Sequence, residues 1–155
     1  MRKIVCFLVA CLFVFGGWAS AFAGWDGTNW GIGLAEFESK IGMKLTSLGN
    51  SKFGLAKDIT FFGYQFSLFA NFPDGKLKDV AFVKKGGAAS SACTDIFKQL
   101  DTRHPQILGK EEAQSEYIFL WQDGDTDIFG SLQMPDFGEH QCIIIYMPEK
   151  SMFPR

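Results

Sequence analysis

Apolar residues recur along this chain with two periods, and the changes between them mark its elements. Leu34, Phe37 and Ile41 return at helical spacing with Glu36, Glu38 and Lys40 between them, and Gly42 follows. That pattern predicts a short amphipathic helix with a glycine stop. From Ile59 the period becomes two. Phe62, Tyr64, Phe66, Leu68, Ala70 and Phe72 fall on one face, and Gly63, Gln65, Ser67 and Asn71 on the other, with Phe69 the exception. This is the signature of a half-buried strand. It ends at Pro73-Asp74-Gly75, where proline presets a turn dihedral and glycine accepts positive φ. The chain returns through "LKDVAFVKK", so residues 59–85 read as a β-hairpin. The intervening residues 43–58 mix Leu45, Leu48, Phe53 and Leu55 with Gly, Ser and Asn, and read as a loop holding at most one helical turn.

A joint, "GGAASS", precedes the next helical stripe, with Ser90 or Ser91 as its expected N-cap. Cys93, Ile96, Phe97, Leu100 and His104 form that stripe, and Pro105 stops it. Three further strands are expected: "SEYIFLWQ", then "DIFGSLQM" after the turn "DGDT", then "HQCIIIYM". Five consecutive apolar residues in the last one argue for burial on nearly both faces and a central place in the sheet. The tail "PEKSMFPR" is expected to be exposed. The fold class is α+β: two layers, a mainly antiparallel five-stranded sheet and about two helices on one face, in the order α-β-β-α-β-β-β.

The first residues follow another logic. Arg2 and Lys3 precede an unbroken apolar run from Ile4 to Phe15, then Gly16-Gly17, then Ala19, Ala21 and Ala23. A basic start, a short apolar core and an A-x-A site make a secretory signal, with cleavage expected after Ala23. A retained anchor is the rival, because the uncharged stretch of about 20 residues is just long enough to span a bilayer. Lipidation at Cys11 is disfavoured, since the apolar run continues beyond it. Residues 1–23 are therefore read as a cleaved signal and 24–155 as one domain. That domain is large enough for a core of its own.

Composition narrows the partners. The mature chain carries 13 Lys and Arg against 17 Asp and Glu, scattered without a basic stripe. Nucleic acid is not an expected partner. Nor is a stable membrane span after the signal is removed. Two cysteines remain, Cys93 and Cys142, and an even count in an exported chain favours a disulfide. Both are expected to face the same core.

Chemistry-bearing groups are few. Asp123, Asp125 and Asp127 have the one-three-five spacing by which calcium loops gather oxygens. The sixth loop position is Ile128 rather than Gly and the twelfth is Met134 rather than Glu, so a plain hairpin turn explains "DGDTD" better. His140 and Cys142 fall on one strand face about 6.6 Å apart, but a disulfide would remove that thiol. Glu111, Glu112 and Glu116 read as a solvated acidic loop. There is no HExxH, GxSxG, P-loop or GxGxxG motif. No cofactor is implied. Trp25 and Trp30, set among glycines, are candidates either for ligand contact or for plugging the core. The expectation is an exported, non-enzymatic binding or assembly module of the cell envelope, with an envelope protein or a small ligand as partner. An inhibitor presenting "GGAASS" or "NFPDGK", and a small hydrolase with carboxylates or calcium, are the alternatives.

Overall fold

The computed structural model describes residues 25–112, 116–136 and 138–149. The expected signal, residues 1–23, lies outside them, as does the tail after Glu149. The elements run α1 (Leu34–Ile41), β1 (Thr46–Gly49), β2 (Lys52–Gly54), β3 (Ile59–Phe61), β4 (Tyr64–Asn71), a 3-10 turn (Pro73–Gly75), β5 (Asp79–Lys85), α2 (Ala89–Arg103), β6 (Gln106–Glu112), β7 (Glu116–Asp123), β8 (Thr126–Gln133) and β9 (Gln141–Pro148). The class is α+β, as the patterning indicates, but the sheet has nine strands rather than five. The order is accordingly α-β-β-β-β-β-α-β-β-β-β.

β1 and β2 lie in residues 43–58, which read as a loop, and three of the four added strands have a physical reason for having been hidden. All four residues of β1 are exposed, so its sequence carries no alternation to read. The single period-two run from Ile59 is in fact two strands. Phe62 (φ 51°) and Gly63 (φ 85°) both take left-handed backbone and reverse the chain between β3 and β4, the geometry of a tight hairpin turn. β6 is an edge strand whose second half, Lys110-Glu111-Glu112, is charged, and it contains the Glu111-Glu112 pair that reads as loop.

Strand order across the sheet is β1-β2-β4-β5-β9-β8-β7-β6, and β3 also pairs β4. Every pairing is antiparallel. After β5 the chain crosses through α2 to the far edge, then meanders back strand by strand. Its last strand, β9, closes between β5 and β8 in the centre.

Register aligns side chains into rows on the helix-bearing face. One row runs Leu68, Phe82, Ile144, Gly130, Phe119, and another Ala70, Val80, Tyr146, Ile128, Trp121. α2 lays Cys93, Ile96, Phe97 and Leu100 onto these rows, all buried. Its N-cap position is Ala88, with no side-chain cap, and Ser90 and Ser91 lie inside the first turn. α1 ends at Gly42 in the left-handed region, as expected, and sets Phe37 edge-on to Phe72 at 5.7 Å. The β3–β4 hairpin reaches α2 from one side. Tyr64 Oη donates to Asp95, and the Arg103 guanidinium lies 5.0 Å from the Phe62 ring centre. On the opposite sheet face Phe69, Val83, Phe129, Ile143 and Ile145 are half-buried. Of the five apolar residues of β9, Cys142 and Ile144 are fully buried and Tyr146 half-buried on the helix-bearing face, and Ile143 and Ile145 are half-buried on the other.

Cys93 of α2 and Cys142 of β9 form a disulfide with a Cα–Cα distance of 5.5 Å. It ties the helix layer to the central strand. Among the described residues, no helix is long and apolar enough to cross a membrane.

Candidate functional site

Along the flank of α2 that faces β7 and β8 runs a groove. Ser90, Thr94, Phe97, Lys98 and Asp101 line one wall, at helical intervals of four, three, one and three. Tyr117 and Phe119 of β7, Leu132 of β8 and Met134 just beyond it form the floor and far wall. The cavity measures about 380 Å³, within the usual range for small-molecule sites.

The floor owes its depth to one missing side chain. Gly130 lies in the row between Ile144 and Phe119, and a Cβ there would sit 2.5 Å from Phe97 Cε1 and 2.8 Å from Trp121 Cζ3. Glycine lets Phe97 drop onto the sheet. There the Phe97 ring meets Phe119 at 4.8 Å and Trp121 at 5.3 Å, and Phe119 stacks on Trp121 with planes 16° apart. Trp121 is fully buried behind the floor, and its Nε1 donates to Asp101 Oδ1 at 2.7 Å. That bond orients a rim carboxylate from beneath.

The polar rim is partly committed. Ser90 Oγ contacts Met134 Sδ at 3.1 Å, and Thr94 Oγ1 donates to the Ser90 carbonyl. Asp101 receives the indole N–H. Lys98 forms no hydrogen bond or ion pair among the described residues. A second depression of about 400 Å³ lies over β4 and β5. Several of its polar groups are already matched: Ser67 Oγ donates to Asp58 at 2.6 Å, and Lys84 Nζ to the Gln65 carbonyl at 3.2 Å.

The residues singled out from sequence lie elsewhere. Trp25 packs edge-on to Phe82 at 5.0 Å, and Trp30 Nε1 donates to Thr126 Oγ1 at 3.1 Å. Both are half-buried against the core. They anchor the segment before α1, which is also tied by the Gly31 N–H to the Leu77 carbonyl and the Leu77 N–H to the Ile32 carbonyl. The three aspartates do not converge. Gly124, at φ 61°, turns the chain between Asp123 and Thr126. Asp123 is exposed and 3.8 Å from His104 Nδ1, Asp125 is exposed, and Asp127 is buried. Successive strand positions send Asp127 to the face opposite Thr126. Among the described residues no group of three His, Cys, Asp or Glu side chains is arranged to hold a metal ion. His140 is half-buried with Nδ1 unpartnered, and its neighbour Cys142 is consumed in the disulfide. His104 caps α2, its N–H bonded to the Leu100 carbonyl. Of "GGAASS", the last three residues belong to α2 rather than to a projecting loop.

The groove wall on α2 has a sequence signal, a second helical stripe beside the buried one. Its floor does not, because the strand partners depend on register between β7, β8 and the helix. Comparison of the chain with protein-family models, with curated proteins and with solved structures finds no match.

Proposed function

We propose that this chain is an exported, non-enzymatic binding module of the cell envelope, and that the groove between α2 and strands β7 and β8 is its ligand seat. Three observations support the reading. The N-terminal pattern of charge, apolar run and small residues is that of a secretory signal. A disulfide joins the cysteines that remain after its removal, as suits an oxidising compartment. The groove itself carries the functional part: an aromatic floor backed by fully buried Trp121, with polar groups gathered on one rim. Apolar floors with a few convergent polar groups are where small ligands gain affinity and orientation. The nucleophile that would favour catalysis, the Cys142 thiol, is bonded to Cys93.

The test is a fragment screen by two-dimensional amide NMR on the isotope-labelled mature chain. Shifts should cluster at Thr94, Lys98, Asp101, Tyr117, Phe119 and Met134. A screen whose hits map to the β4–β5 depression, or yield no hits, would overturn the assignment of the groove.

A further inference from the structure

We infer that the groove takes an apolar zwitterion: a free α-amino acid with a large apolar side chain. The inference rests on the groove being the ligand seat, and deepens that reading.

The charges on the rim carry it. Lys98 and Asp101 are three residues apart on α2 and both line the cavity, so their side chains leave the same helix face, about 5–6 Å apart at Cβ. They do not pair with each other. The indole N–H of Trp121 holds Asp101 by one oxygen, which leaves acceptor capacity on a carboxylate whose direction is fixed. Lys98 has three donors and no partner among the described residues. One rim therefore offers a cation and an anion side by side, above a floor that includes Phe97, Tyr117 and Phe119.

A ligand with one charge matches half of this arrangement, and a neutral ligand matches neither half. An α-amino acid carries a carboxylate and an ammonium on one carbon, with its side chain leaving in a third direction. Its carboxylate pairs with Lys98, its ammonium with Asp101, and its side chain lies on the aromatic floor. The volume of about 380 Å³ suits one such molecule. Lys98 and Asp101 are both exposed, so each pairing adds modestly and specificity comes from meeting all three requirements together.

The experiment is calorimetric titration of the disulfide-bonded mature chain with L-phenylalanine, 3-phenylpropionate, 2-phenylethylamine, benzyl alcohol and glycine. L-phenylalanine should bind best, each singly charged analogue about fivefold more weakly, and glycine not measurably. Lys98→Met should reduce L-phenylalanine to the affinity of 2-phenylethylamine without changing the latter. Asp101→Asn keeps an oxygen acceptor for Trp121, so the floor stays formed, and should reduce L-phenylalanine to the level of 3-phenylpropionate. Unchanged near-ultraviolet circular dichroism in both variants shows that the fold is intact. Equal affinity for L-phenylalanine and benzyl alcohol, insensitive to both substitutions, overturns the zwitterion while leaving the groove as a binding seat. Absence of heat with every probe overturns the zwitterion, and the amide NMR screen then decides the groove separately.

Discussion

Two single positions carry more than their size suggests. At Gly130 the Phe97 ring of α2 lies directly on the sheet, and Gly130→Ala would force Phe97 and Trp121 off their positions. Overpacking of this kind costs about 1–3 kcal/mol, which urea unfolding should register as a lower midpoint. The same substitution should distort the groove floor, since both displaced rings meet Phe119. Glu38 acts differently. Its carboxylate accepts from Lys44 Nζ at 2.7 Å and from the Leu45 N–H at 2.8 Å. These bonds, the Lys44 one foremost, hold its pKa below the ordinary value of 4.5. The stabilisation is therefore present above 4.5 and is lost as pH falls through the lower folded value. Thermal melts of wild type and Glu38→Gln should differ at pH 7 and converge as the buffer is acidified below 4.5. Residue identity alone conceals some of this. Nothing in the letters "FFGYQF" says that Phe62 adopts a left-handed backbone, because bulky residues seldom do.

The elements were readable where burial alternates and hidden where it does not. α1, α2, β4 and β5 each have a buried stripe that periodicity found, and β7, β8 and β9 were legible as short apolar runs bounded by turn residues. β1 and β6 are edge strands, and an edge that faces solvent has no reason to alternate. The pairing of Cys93 with Cys142 followed from two correct assignments, that Cys93 lies on the inward stripe of α2 and that Cys142 shares the core-facing side of β9 with Ile144. The bridge closes a loop over a sequence separation of 49, which in the chain-entropy account is worth about 4 kcal/mol. Reduction, or Cys93→Ala with Cys142→Ala, should lower unfolding free energy by that order in urea titrations. A change below about 1 kcal/mol would mean that α2 is held by its apolar contacts alone.

At the scale of the whole molecule, the α+β class, the antiparallel pairing and the two helices were legible; strand number and the groove were not. The groove belongs to no single element: it needs α2 to lie across β7 and β8 at one register, and one sequence does not contain that information. The reading of the N-terminus makes its own whole-chain prediction. Intact-mass measurement on protein from its native host should find a chain that starts at Gly24, lighter by two hydrogens than its reduced form. A species that retains Met1, or two free thiols, would contradict it.

The placement of β9 has a consequence for how the molecule comes into being. The last strand among the described residues is the one that joins the two halves, with Val80 opposite Tyr146 on one side and Ile128 on the other. A thread delivered amino end first therefore cannot complete its central seam until β9 has followed all eight other strands. Pairings this remote in sequence form slowly, and the unclosed intermediate presents bare strand flanks to whatever surrounds it. Deleting β9 would not trim a border; it would withdraw the keystone and leave two unjoined pieces.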